Sequence, residues 1–243
     1  MPEINFNGPE GRLEGRYLEG KTKNAPIALV LHPHPQHGGT MNNKVVYTLY
    51  HAFVDRGFAV LRFNFRGVGR SQGEFDHGAG ELSDAASALD WLQTFNANAR
   101  TCWVAGFSFG AWIGMQLLMR RPEIDGFISV SPPSSLFDFS FLAPCPASGI
   151  ILHGGDDHHV PVEDAKKLAE KLQSQKNITV NYQVVSGADH FFTDRIDQLR
   201  MGVNNYLDDA LAEEPKPADK EEAVPRPNPG EPDAHPSSVP ARR

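Results

Sequence analysis

The pentapeptide Gly106-Phe107-Ser108-Phe109-Gly110 sets one hydroxyl between two glycines, directly after the apolar run Trp103-Val104-Ala105 and before a helical pattern that opens at Ala111. A serine on a sharp strand-to-helix turn points its Oγ out of the top of a sheet. Glycine on either side removes Cβ clashes where strand and helix cross closely, and Ala111 and Gly114 keep the first helical turn small. The helix N-terminus adds free N–H groups and a positive dipole end at the same spot. Ser108 is therefore the candidate nucleophile of an acyl transfer. The five-residue pattern is weak by itself, and its place between strand and helix gives it weight.

A serine hydroxyl is a poor nucleophile without an adjacent base. Of the ten histidines, His190 lies in Ser186-Gly187-Ala188-Asp189-His190-Phe191-Phe192, right after the last strand-like run at 179–185. That places it at the same edge of the sheet as Ser108, and it is the candidate base. His51 and His77 read as surface or packing residues. The imidazole needs a carboxylate that fixes its tautomer and stabilises its charged form. The loop His153-Gly154-Gly155-Asp156-Asp157-His158-His159-Val160-Pro161 follows an apolar run and offers Asp156 and Asp157, with Asp138 as a more remote third. Placement on this loop leaves both neighbours open. An oxyanion needs two backbone N–H groups. Phe109 supplies one, being the residue after the nucleophile. The other should come from Leu31-His32-Pro33-His34-Pro35-Gln36-His37-Gly38-Gly39, where the prolines have no N–H to give. His34 is the donor nearest the strand end, with Gln36 and Gly38 as alternatives.

Two other chemistries are weaker. His32, His34 and His37, together with Asp156, His158 and His159, are zinc-type residues. Two prolines interrupt the first three, however, and a serine mechanism needs no metal or other cofactor. Arg66-Gly67-Val68-Gly69-Arg70-Ser71-Gln72-Gly73 looks like a phosphate-cradling glycine loop but lacks the Gly-Lys-Ser/Thr of a P-loop, so it reads as a structural turn.

These residues must be held by a sheet. Ile4-Asn5-Phe6 and Leu13-Glu14-Gly15-Arg16-Tyr17 flank a Gly-Pro-Glu-Gly turn, which predicts an antiparallel hairpin. Apolar runs at 27–31, 59–63, 103–105, 126–130 and 149–152 read as buried strands, with a last strand at 179–185. Helical patterns at 44–56, 82–93, 111–120, 163–173 and 194–210 lie between or after them. This alternation predicts an α/β fold: a mostly parallel central sheet, an antiparallel N-terminal hairpin and helices on both faces. Such sheets carry ligands at the carboxyl ends of their strands, where the candidate residues fall.

Composition sets the outer bounds. The chain has 243 residues, with Lys plus Arg at 23 against Asp plus Glu at 30, giving a formal charge of −7. An acidic chain without a basic stripe argues against nucleic acid as a partner. No apolar run approaches a membrane span, and the N-terminal residues show no signal-peptide pattern. Two cysteines, Cys102 and Cys145, cannot build a disulfide framework and suit a reducing, cytoplasmic setting. Residues 1–211 are expected to form one catalytic domain. Residues 212–243 carry eight prolines and no aromatic residue, which predicts a disordered, partly polyproline-II tail.

The chain resembles the α/β-hydrolase superfamily over nearly all of residues 1–211, and within it the small cap-less bacterial hydrolases near the dienelactone-hydrolase and esterase branch. The motifs are HPHP-x-x-GGT-M-x-N-K at 32–44, R-F-N-F-R-x-x-G-x-S-x-G at 62–73, the G-F-S-F-G-A elbow at 106–111 and G-A-D-H-F at 187–191. The order Ser, Asp, His is the order that fold uses. The resemblance implies an α/β-hydrolase fold without a cap domain and a Ser108–Asp157–His190 triad. It selects Asp157 because the acid loop of such enzymes reads H-G-x-x-D-x-x-V-P, and it supports His34 as the second oxyanion donor. It also implies hydrolysis of a small-molecule ester with no cofactor. The dienelactone hydrolases proper use cysteine where this chain has Ser108, so dienelactone is not the implied substrate. Only 131–148 separate two strands where larger relatives insert a lid. Its apolar residues, among them Pro133, Leu136, Phe137, Phe139 and Leu142, could line an acyl pocket, cover the core or form the surface of a homodimer.

Overall fold

The computed structural model describes residues 3–213. Its sheet has eight strands in the order β1-β2-β4-β3-β5-β6-β7-β8. The hairpin β1 (Glu3–Gly8) and β2 (Gly11–Leu18) pairs antiparallel, and β2 continues antiparallel onto β4 (Ala59–Phe63). From there the sheet is parallel throughout: β3 (Ile27–Leu31), β5 (Cys102–Phe107), β6 (Gly126–Val130), β7 (Ser148–Gly154) and β8 (Val180–Val185). This is the α/β-hydrolase fold.

The central strands β3, β4, β5 and β6 are buried at every position because both faces are covered, and most of their residues are apolar. In β3, Ala28 and Val30 pack toward α1 (Lys44–Asp55) and α5 (Ile196–Glu213), in one core with Val46, Phe53, Leu199 and Val203. Ile27, Leu29 and Leu31 face the other way, toward α2 (Ala79–Phe95), α3 (Phe109–Leu118) and α4 (Val162–Gln173), in a core with Leu89, Ile113 and Leu172. The period of two along a strand thus splits one apolar run between two cores. Full burial of each such side chain contributes about 1.5–3 kcal/mol before entropy is counted.

The strand positions follow the sequence pattern closely, while four helix starts, those of α2 to α5, differ from it by one to three residues. Helix α2 opens at Ala79, not at 82, because the Glu81 carboxylate accepts the N–H groups of Gly78 (2.7 Å) and Asp76 (3.0 Å) and so caps an earlier start. Helix α3 starts at Phe109, right behind the serine. A short 3-10 turn, Pro35–His37, was not visible in the pattern. Helix α5 runs on through Glu213, so residues 212–213 of the expected tail are helical, and the rest of it, from residue 214 onward, lies outside the described residues. Between β6 and β7 there is no helix, so among the described residues no helical cap is inserted there over the carboxyl edge of the sheet. Among the described residues no helix is long and apolar enough to cross a membrane.

Candidate active site

Ser108 sits at φ 53°, ψ −119°, a backbone conformation that non-glycine residues rarely adopt. Its surroundings hold it there. The Ser108 N–H donates to Val130 O (2.9 Å), and its carbonyl accepts from Ala111 N (2.9 Å) and Trp112 N (3.2 Å). The flanking glycines are steric requirements. A Cβ at Gly106 would collide with the Gly110 carbonyl, and one at Gly110 would lie 2.5 Å from the carbonyl oxygens of Leu31 and His32.

His190 leaves the end of β8 on the 186–190 loop. Its Nε2 lies 3.0 Å from Ser108 Oγ and its Nδ1 2.7 Å from Asp157 Oδ2. The other carboxylate oxygen of Asp157 accepts the N–H groups of His159 (2.8 Å) and Val160 (2.9 Å). Burial raises the Asp157 carboxyl. The hydrogen bonds from His190 and from the Val160 and His159 amides, with the His190 charge, outweigh that and hold it below the ordinary carboxylate range. Asp156 is exposed, and its backbone N–H donates to Ala188 O (2.9 Å), tying the acid loop to the histidine loop. Asp138 is exposed as well, and its carboxylate is occupied by Ser140. Of the three aspartates, the structure brings Asp157 to His190.

The amides of Phe109 and His34 donate to no acceptor among the described residues. The two rings lie 5.0 Å apart, centroid to centroid, so the residues meet beside Ser108. The His34 ring accepts the Gln36 N–H (3.2 Å), which removes Gln36 as an oxyanion donor and leaves Gly38 farther along the loop. Burial, and then His37 and His77 nearby, push the His34 imidazole below its ordinary pKa.

Of the metal-type residues, His32 is turned away from this surface. Its Nδ1 lies 2.7 Å from Pro33 O and its Nε2 accepts the Phe65 N–H at 3.0 Å. Complete burial, opposed in part by the Pro33 contact, lowers its pKa to about 4. Among the described residues, Asp157, His159 and His190 have ligand-type atoms all within 4.8 Å of one another, and two of these already bond each other. In the 66–73 loop, Arg66 makes a buried bidentate pair with Asp84 (3.0 and 2.8 Å), and Gly67 and Gly69 adopt positive φ: a turn tied to α2.

A cleft of about 580 Å³ opens over Ser108. Phe109, Pro133, Leu136, Phe137 and Phe191 make its apolar wall; His34, His37, Asn43 and His159 make the polar one. Among the described residues no Asp or Glu side chain lines it. The 131–148 segment thus divides its apolar residues: Pro133, Leu136 and Phe137 line the cleft, while Phe139 and Leu142 are buried in the core. Sequence reasoning did not place His159, Phe191 or Asn43 in the cleft wall. His159 and Phe191 adjoin predicted loop residues, which was the only signal available.

Residues 17–203 match the family described as X-Pro dipeptidyl-peptidase (S15 family). The chain belongs to the S15 peptidase family. This S15 chain also resembles solved structures over most of its length. One is a protein of unknown function from Agrobacterium tumefaciens, 60% identical with a TM-score of 0.86, covering 89% of this chain and all (100%) of that one. A serine hydrolase homologue from Coxiella burnetii is 37% identical, with a TM-score of 0.76 and coverage of 85% and 97%. A lidless α/β serine hydrolase from Xanthomonas campestris is 31% identical, with a TM-score of 0.77 and coverage of 88% and 96%. The S15 chain is a serine hydrolase of the α/β fold.

Proposed function

We propose that this protein is a cytoplasmic esterase that hydrolyses small, short-acyl carboxylic esters through an acyl-enzyme, with Ser108, His190 and Asp157 as its triad. Within the superfamily we assign it, on its sequence motifs, to the neighbourhood of the cap-less dienelactone-hydrolase and esterase branch, with serine as nucleophile. Ser108 Oγ attacks the ester carbonyl as His190 Nε2 takes its proton. The amides of Phe109 and His34 hold the oxyanion, and Asp157 stabilises the imidazolium. His190 returns the proton to the leaving alcohol. Water then attacks the acyl-enzyme by the same route, releasing the acid and restoring Ser108. No step requires a cofactor. The buried, unpaired Cys102 and Cys145 accord with a reducing compartment.

The observation that carries the ester reading is the lining of the cleft. It is open and mostly apolar, and among the described residues no Asp or Glu lines it. A dipeptidyl-peptidase must bind the ammonium of a free peptide N-terminus, and a charge drawn out of water needs a partner. The cleft offers histidines and Asn43 instead. Because the family is described by a peptidase activity, cleavage of an X-Pro amide is the second reading.

The test compares p-nitrophenyl esters from acetate to palmitate with a Gly-Pro p-nitroanilide, for wild type and Ser108→Ala. Fast turnover of short esters, lost by at least about a thousandfold in the variant, is expected. Equal rates in both proteins overturn the mechanism, and faster cleavage of the anilide than of any ester overturns the substrate class.

A further inference from the structure

We propose that His153 is a positioning residue that fixes the Asp157 carboxylate against His190. The proposal rests on the reading of Ser108, His190 and Asp157 as a triad. His153 stands near the end of β7 with its side chain fully buried. Its Nε2 lies 2.9 Å from Val160 O. A carbonyl oxygen only accepts, so Nε2 carries the hydrogen and Nδ1 carries the bare lone pair. The same Nε2 is 3.5 Å from Asp157 Oδ2, the oxygen that takes the His190 Nδ1 contact at 2.7 Å. Val160 completes the arrangement. Its N–H donates to Asp157 Oδ1 (2.9 Å) while its carbonyl accepts from His153. One ring therefore holds the turn that carries the acid, and presents an N–H dipole to the carboxylate oxygen that His190 uses.

The other ring nitrogen gives the reason for histidine. His153 Nδ1 is buried and has no hydrogen-bond partner among the described residues. An unsatisfied buried acceptor costs stability, and a phenylalanine would fill the space without that cost. What histidine adds is the Nε2–H. It also adds it without charge. Burial holds the imidazole below its ordinary pKa, the Val160 and Asp157 contacts oppose this in part, and His190 lowers it further. Besides His153, the titratable groups facing Asp157 are His190, Asp189 and His159, the last with a ring nitrogen within 4.8 Å of the carboxylate. Without the His153 N–H, Asp157 loses one of the dipoles that favour its ionised form, and the Val160 carbonyl is left unpaired.

The test is steady-state hydrolysis of the best ester as a function of pH for wild type, His153→Phe, His153→Gln and His153→Asn, each checked for folding by thermal melting. In the Phe variant kcat should fall roughly tenfold to a hundredfold with KM nearly constant, and the acid limb of kcat/KM should move to higher pH. Gln places an N–H near the position of Nε2 and should recover most of kcat and the wild-type limb. Asn reaches only as far as Nδ1 and should not. If Phe fails to fold, the Gln and Asn variants decide alone. Equal kcat and superimposed acid limbs across the folded variants, or losses in KM alone, would overturn the proposal. A wild type inactive on every ester would overturn the triad reading beneath it, which is a separate result.

Discussion

His190 Nε2 and Ser108 Oγ lie 3.0 Å apart across 82 residues of chain. Neither residue is near the other in sequence, and each is placed by a different strand end. Ser108 is fixed by the β5–α3 turn and by the carbonyl of β6, and His190 by a loop leaving β8. Between these strands lie β6 and β7, so the contact crosses the carboxyl edge of the parallel sheet. The acid loop spans that interval, because Asp156 N–H holds Ala188 O and Asp157 holds His190. The triad geometry is thus a consequence of sheet order and of one backbone hydrogen bond between two loops.

Neutralising the two adjacent aspartates separates orientation from general loop chemistry. Asp157→Asn leaves the shape but removes the charge and favours the wrong imidazole tautomer, so kcat should fall by roughly 10³–10⁴. Asp156→Asn changes an exposed side chain whose structural contribution is its backbone N–H, so kcat should stay within about twofold of wild type. Comparable losses in both variants would refute the assignment.

The elbow glycines should be intolerant of a methyl group. At Gly110 the added Cβ meets the backbone of β3 and its loop, which cannot move without shifting the oxyanion strand. Gly110→Ala should cost at least about 2 kcal/mol in urea unfolding. Gly38→Ala is the comparison. It has φ +77 but open space around the Cβ, so only backbone strain of about 1 kcal/mol applies. Equal costs at the two sites would show that packing at the elbow is looser than its geometry indicates.

Much of the site was legible because Ser108 and the 153–161 loop each follow an apolar run that only a buried strand explains, and His190 follows the alternating run of the edge strand β8. Ser108, His190 and the 153–161 loop all fall at such ends. Between Asp156 and Asp157 the sequence spacing is silent, since both follow the same strand. The choice is made by hydrogen bonds that fold the loop: Asp157 turns inward because His159 and Val160 offer it two amides, and Asp156 is left outside. The start of α2 was misread for a related reason. Its first turn is set by Glu81 reaching back to two amides, an interaction that carries no apolar periodicity. The cleft wall was half legible, because no local pattern tells which of Leu136, Phe137, Phe139 and Leu142 will face solvent.

His32 predicts a pH dependence of stability. Folded, its pKa is lowered to about 4 from an ordinary 6.5. Between those values the unfolded chain binds a proton that the folded chain does not, so stability is full above pH 6.5 and declines as pH falls toward 4. A shift of that size corresponds to roughly 3 kcal/mol. The fully buried ring needs no discount for solvent. His32→Gln keeps an acceptor for the Phe65 N–H and removes the titration. It should be less stable than wild type at pH 7, and the difference should shrink by most of that amount near pH 4. Urea unfolding at both pH values measures it, and parallel pH curves for the two proteins would refute the burial of a neutral imidazole.

The apolar wall predicts an acyl-length preference that two residues control. Leu136 and Phe191 are 67% and 45% exposed at the mouth of the cleft, which the 131–148 segment and the histidine loop both line. Each methylene that an acyl chain buries there is worth at most about 0.8 kcal/mol, a factor of roughly four in kcat/KM. The gain should stop once the chain passes the rim and re-enters water. Log kcat/KM should therefore rise from acetate through the short acids and then level off. In Leu136→Ser and Phe191→Ser the rise should be shallower, with hexanoate losing more than acetate, because the variants remove the surface that the added methylenes would cover. A steady rise through palmitate in wild type would mean that a longer apolar track receives the chain, and an unchanged slope in both variants would mean that the acyl group lies on the other side of Ser108, against His34 and Asn43.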